Sequence, residues 1–350
     1  MKNIIVTGGA GFIGSHTCLA LLERGYRVFV IDSFINSSPL ALEKVLEILK
    51  NKNKNVKDEL IIFKCDLKDK SLLKNIFSEI KTKYKTIDGV IHFAGLKSVA
   101  ESISFPLIYW KANVFGTINL IEIMQKYKCN TLVFSSSATI YANSENRSLS
   151  ENDQLMPSNP YGNTKLSIEV LLNDIFNSSK MNLKFASLRY FNPIGAHISG
   201  LIGENPKGKP NNIFPLIINT AMGTQKKLEI YGNDWPTKDG TPIRDYIHVM
   251  DLADAHIKVL ENLFKNESIF LELNIGTGRG TSVLELIKIF EKVNCVKVPY
   301  IFVNRRPGDN CSIVADNSLL ISKFNIVPKL KIEDMCRDGW NWKKLNPNGY

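Results

Sequence analysis

Two short clusters carry residue types able to do chemistry. The first is Thr7-Gly8-Gly9-Ala10-Gly11-Phe12-Ile13-Gly14, with Gly8, Gly11 and Gly14 set between a β-branched run and a helical pattern. In such a turn the first glycine permits the tight bend, the second lets backbone approach a pyrophosphate, and the third lets helix pack on strand. The helix that follows offers free N–H groups and a partial positive charge to phosphates. Asp32 then ends the next β-branched run. Its carboxylate suits the adenosine ribose hydroxyls and repels a 2′-phosphate, and neither Ser33 nor Phe34 is an arginine that could receive one. The cofactor expected here is NAD, not NADP. A structural glycine turn without nucleotide is the alternative.

The second cluster is Tyr161-Gly162-Asn163-Thr164-Lys165, with Asn159-Pro160 before it as a helix start. Tyr161 and Lys165, four apart, share one helix face. Free tyrosine titrates near ~10 and is a poor base at neutral pH. The Lys165 ammonium and the positive nicotinamide are expected to favour its phenolate. The spacing also recurs by chance, but Ser135-Ser136-Ser137 ends a strand upstream. Ligands sit at the carboxyl ends of such strands, so Ser137 can hydrogen-bond a reacting hydroxyl.

The elements that must position these groups are short strands at 2–7, 27–31, 60–65, 89–93 and 131–136, alternating with helices at 12–24, 39–50, 71–83 and 106–128. Strands apolar on both faces, separated by helices, specify an α/β fold of the Rossmann type, a doubly wound parallel sheet. After Asn192 the texture changes: Pro193, Gly195, Gly200, Gly203, Pro206, Gly208 and Pro210 mark a loop-rich segment. A NAD-binding domain over 1–191 and a smaller mixed α/β domain over 192–350 are expected, with some segments packing back on the first. The Lys/Asn-rich tract at 51–59 reads as a surface insertion.

Composition narrows the classes. The 350 residues are 44% hydrophobic and 22% charged, which excludes a disordered or fibrous chain. No run approaches the ~18 apolar residues of a membrane span, and the N-terminus leaves no room for a signal peptide. A cytoplasmic protein with no membrane partner is expected. The net charge of +10 invites a nucleic-acid reading, but only nine of 44 basic residues are Arg, and Lys50-Asn51-Lys52-Asn53-Lys54 carries no aromatics. No nucleic-acid partner is expected. The six cysteines are scattered with no CxxC and no histidine at ligand spacing, so no metal is expected. The five histidines read as structural, since Tyr161 already supplies a base.

These motifs resemble those of the extended short-chain dehydrogenase/reductases that act on nucleotide sugars, and more narrowly the UDP-glucose 4-epimerase family. The likeness runs from Met1 to about Trp342. It is carried by His92-Phe93-Ala94-Gly95-Leu96-Lys97, Ser135-Ser136-Ser137-Ala138-Thr139, Leu188-Arg189-Tyr190-Phe191-Asn192-Pro193 and the stretch from Arg244 to Ala253. The resemblance implies an isomerase that interconverts UDP-glucose and UDP-galactose through a 4-keto sugar, using tightly held NAD. It makes Tyr161 the proton acceptor, Lys165 the partner of the nicotinamide ribose and Ser137 the neighbour of the sugar 4-hydroxyl. Phe12, Ile13, Asp32, Asn36, Ser37, Asp66, Leu67, Phe93, Ala94, Lys97 and Asn113 fall where the family binds NAD. Asn192, Asn212, Arg244, Arg306 and Asp309 fall where it binds UDP-sugar, and arginine forks suit a diphosphate.

The resemblance also implies a homodimer through the helices at 106–128 and 161–177, the second of which is apolar on more than one face. Ile313 occupies the family's size gate near the sugar 2-substituent. Being smaller than tyrosine and bulkier than cysteine, it implies weaker use of N-acetylated UDP-sugars. A 4,6-dehydratase or decarboxylase is the nearest rival, but Ala138-Thr139 offers no acid after the strand serine. A non-catalytic NAD sensor would be expected to lose Tyr161 or Lys165, and both are present.

Overall fold

Runs that are apolar at consecutive positions become strands covered on both faces. In the computed structural model, which describes residues 1–54, 56–142, 147–178, 181–208, 210, 212–306 and 309–350, the first six are β1 Asn3–Thr7, β2 Arg27–Asp32, β3 Leu60–Lys64, β4 Gly89–His92, β5 Thr131–Ser137 and β6 Lys184–Tyr190. The rest are β7 Asn192–Ile194, β8 Leu228–Tyr231, β9 Ile243–His248, β10 Ile269–Ile275, β11 Gly280–Ser282, β12 Tyr300–Val303 and β13 Ser312–Ile313. A seven-stranded sheet runs β10-β6-β5-β4-β1-β2-β3. In it β1 pairs in parallel with β2 and β4, β2 with β3, and β4 with β5. The expected Rossmann-type sheet is present. Every residue of β1 and β4 is buried, whereas edge strand β3 alternates.

The chain forms two compact units. One comprises Met1–Ile140, Pro157–Arg189 and Ala253–Leu273, and the other Tyr141–Met156, Tyr190–Leu252 and Asn274–Tyr350. In the first unit α1 is Phe12–Glu23, α2 Leu40–Asn51 and α3 Lys70–Tyr84. Helix α1 is buried from Gly14 to Leu22, including the polar Ser15, His16 and Thr17. Asn55, inside the Lys/Asn-rich tract, lies outside the described residues.

The helix expected over 106–128 is present as a continuous run of α5 Pro106–Tyr109, a π turn Trp110–Phe115 and α6 Gly116–Lys126, preceded by a separate α4 Val99–Ser104. One extra residue per turn does not change the apolar pattern enough to be read from sequence. It falls where Asn113 turns inward, its side chain bonded to Leu96 and Thr164. Helix α7, Pro160–Ser178, begins where Asn159 Oδ1 accepts from Gly162 N at 2.9 Å. Behind it Arg189 is fully buried, forked onto Glu169 and also donating to Glu272 at 2.7 Å.

In the second unit β9 is the hub. Its first half has β11 antiparallel and β13 parallel, and its second half pairs in parallel with β7. Strands β8 and β12 form a separate parallel pair. Phe214, Ile217, Leu228, Tyr246, Leu286 and Phe290 belong to the buried cluster of this unit. Among the described residues no helix is long and apolar enough to cross a membrane.

Candidate active site

The turn after β1 is built by close approach. A Cβ on Gly14 would lie 2.2 Å from Gly8 O, so only glycine lets α1 start this near the strand. Gly11 caps α1 with no side-chain hydrogen bond, and the first turn, with Phe12 and Ile13, carries no acid. The N–H donors there are left for an anion. Asp32 closes β2 beside this turn. Its Oδ2 accepts from Ala10 N at 3.0 Å, and its Oδ1 accepts from Phe34 N and Ser37 Oγ, both at 2.9 Å. The carboxylate is thereby fixed in place with acceptor capacity to spare for ribose hydroxyls. These groups fit a dinucleotide: donors for its pyrophosphate and an oriented acid for its ribose.

The other residues expected at this cofactor are in the same unit. Asn36 is exposed, whereas Leu67 is buried. Asp66 is half-buried and holds Lys68 through an ion pair at 3.3 Å. Phe93 stacks near His256 with ring centroids 4.8 Å apart, Ala94 N lies 3.4 Å from Thr7 Oγ1, and Lys97 is exposed. Asn113 commits its oxygen to Leu96 N and its amide hydrogens to Leu96 O and Thr164 Oγ1, bracing the 95–97 loop against α7.

Ser137, Tyr161 and Lys165 come together. Burial pushes the Tyr161 phenol up, and the hydrogen bond from the Ser137 hydroxyl pulls against it. Lys165 Nζ lies 5.9 Å from the Tyr161 ring centroid and donates to Ser135 O at 2.7 Å. Burial lowers Lys165 to about 8, opposed by Glu169 one turn along. Lys165 uses one of its three N–H donors on Ser135 O and remains mostly charged at neutral pH beside Tyr161. His92, between Thr7 Oγ1 and Thr117 Oγ1, is pushed down to about 3 by burial and by Lys165, and stays neutral.

The residues expected at the UDP-sugar lie in the second unit. Burial lowers the Arg244 guanidinium, which donates through Nη1 to Ile243 O and Asn310 O at 2.8 and 2.9 Å. Both acceptors are neutral, so the cation remains available to an anion. Arg305 is held by Asp234 at 2.8 Å, whereas Arg306 lies 3.6 Å over the Tyr231 ring. Asp309 N bonds back to Arg306 O at 3.3 Å. Ile313 is the register partner of Arg244, Asn192 opens β7 opposite Tyr246, and Asn212 caps helix Ile213–Ala221 while donating to Glu204 at 3.3 Å. Sequence reasoning gave no role to Tyr231, whose signal was an aromatic ending the alternating run 228–231, or to Thr139, read as part of a likeness-bearing stretch and for its lack of a carboxyl.

A family model, the NAD dependent epimerase/dehydratase family, matches residues 4–276. The chain belongs to that family. Among its relatives is UDP-glucose 4-epimerase 2 of Oryza sativa subsp. japonica, 46% identical over 351 residues, 100% of this chain and 84% of the relative. The UDP-glucose-4-epimerase from Stenotrophomonas maltophila, solved with bound NAD and formylated UDP-arabinopyranose, superposes with a TM-score of 0.93 at 41% identity, covering 99% of each chain. That from Bifidobacterium longum, in complex with NAD+ and UDP, gives 0.92 at 40% identity, covering 100% of each. The glycine turn, Asp32, Ser137, Tyr161 and Lys165 all lie within the span matched by the epimerase/dehydratase family model. Arg306, Asp309 and Ile313 lie beyond it, where the relatives' full-length similarity continues.

Proposed function

We propose that this protein interconverts UDP-glucose and UDP-galactose by transient oxidation at sugar C4, with NAD as its cofactor. The observation that carries the reading is the grouping of Ser137, Tyr161 and Lys165 at the end of β5 and the start of α7, in a chain with full-length similarity to UDP-glucose 4-epimerases. When bound, NAD supplies a reversible hydride acceptor and a positive ring whose field opposes the rise that burial gives Tyr161. Tyr161 takes the proton of the sugar 4-hydroxyl, and Ser137 hydrogen-bonds the oxygen that gives it up. The 4-keto sugar then presents its other face, and Tyr161 returns the proton to the new hydroxyl. Lys165 orients the ribose. Gly8, Gly11, Phe12, Ile13 and Gly14 cradle the pyrophosphate, and Asp32 with Ser37 and Asn36 holds the adenosine side.

Arg244 and Arg306 hold the substrate diphosphate, with Asn192, Asn212 and Asp309 as further contacts and Ile313 as the wall near the sugar 2-substituent. The protein acts as a cytoplasmic homodimer without nucleic-acid or membrane partners. Supporting the dimer, Ile103, Phe105, Leu107, Ile108 and Phe115 are each at least half exposed on the α4–α6 segment, and Val170 on α7 joins them. Ile168 and Leu172, by contrast, are spent on the unit's own core. The decisive experiment is incubation with UDP-galactose and no added NAD: UDP-glucose forms if the reading is right, and its absence rejects it.

A further inference from the structure

Ser137 Oγ is approached twice by the residue two positions on. Thr139 N donates to it at 3.2 Å, and Thr139 Oγ1 donates at 2.9 Å. A serine hydroxyl has two lone pairs and one hydrogen, so both acceptor sites are filled. The contact follows from the local fold. Strand β5 ends at Ser137, and the 3-10 turn Ala138–Ile140, anchored by fully buried Ile140, curls Thr139 back over it. The turn is clamped to the start of α7, where a Cβ on Gly162 would lie 2.8 Å from Thr139 O.

We propose that Thr139 is a positioning residue: by filling both lone pairs of Ser137, it leaves the Ser137 hydroxyl able only to donate, to the oxygen of Tyr161 or of the reacting sugar. A hydroxyl that can only donate discriminates between the two states of its partner. It bonds a phenolate well and cannot accept from a phenol, so it stabilises the base. Donation from Thr139 into Ser137 also polarises that O–H. The groups facing Tyr161 leave this role open. On its own helix Lys165 is turned to Ser135 O and Glu169 to Arg189. His92 at the end of β4 is neutral, and on α4 Ser102 meets the Tyr161 backbone N–H while Glu101 is taken by Tyr109. The consequence for turnover rests on the epimerase reading; the effect on the phenol does not.

The test uses the protein as purified, with Tyr161 titrated by ultraviolet difference absorbance against Tyr161→Phe, beside pH profiles of kcat and KM for UDP-galactose. Thr139→Val should raise the Tyr161 midpoint and the acid limb of kcat by roughly half a unit, the scale of one neutral hydrogen bond, and leave KM unchanged. Thr139→Ser should restore both. In a Ser137→Ala background, Thr139→Val should add nothing. An unmoved Tyr161 titration, or the same shift without Ser137, overturns the proposal. If wild type fails to convert UDP-galactose while the titration still moves, the epimerase reading falls and the role of Thr139 stands.

Discussion

Arg244 and Ile313 are register partners across the parallel pair β9–β13, although 69 positions separate them in sequence. Paired residues of neighbouring strands point to the same face, so the cation and the apolar Ile313 side chain are neighbours. The pairing is locked by Asp245, next to Arg244, whose carboxylate accepts from Ala315 N at 3.2 Å and from Gly278 N and Thr277 N at 2.9 Å. A stiff β-branched side chain on so fixed a strand cannot swing aside.

Substrate range should therefore follow position 313. UDP-glucose is expected as the main substrate, with slower but detectable turnover of UDP-N-acetylglucosamine, a pocket wall being worth on the order of 1–3 kcal/mol per methylene-sized difference. Ile313→Tyr should abolish the second activity and largely spare the first. Equal N-acetyl turnover in the two proteins would remove Ile313 from the wall.

Tyr161→Phe should cost at least ~10²-fold in turnover, the usual scale of acid–base help, while NAD stays bound. Because burial pushes the phenol up, the base form gains as pH rises, so wild-type turnover climbs with pH along its acid limb. That limb should vanish in the variant. Turnover near wild type would place the base elsewhere.

Nucleotide binding is expected to depend on close packing at the glycine turn. A methyl at position 14 meets Gly8 O at 2.2 Å, so Gly14→Ala must displace the start of α1. Mass spectrometry of purified wild type should find NAD and no NADP, since the oriented Asp32 carboxylate repels a 2′-phosphate. Gly14→Ala should come through purification without nucleotide. Bound NADP in wild type would contradict the role given to Asp32.

Self-association should run through the apolar α4–α6 surface, where Leu107 is 73% exposed. Light scattering at micromolar concentration should find a dimer for wild type and a monomer for Leu107→Lys. A monomeric wild type would leave that surface without its expected partner.

The parts of this protein legible in sequence are those governed by local geometry. The glycine turn, the acid at the end of the next strand and a tyrosine–lysine pair one helical turn apart depend on fixed periods of 2 and 3.6 residues, so spacing alone specifies them. Strands buried on both faces likewise announced the parallel sheet. Tertiary structure decided what each polar side chain is spent on. Arg305 and Arg306 are adjacent, yet one is taken by Asp234 and the other lies over Tyr231. Lys165 commits one donor to Ser135 O, while Thr139 fills the lone pairs of Ser137. Arg189 draws its carboxylates from positions 20 and 83 residues away. Such choices depend on which segments the sheet and its loops bring into contact and how deeply each group is desolvated, and neither is encoded in the spacing of neighbouring residues.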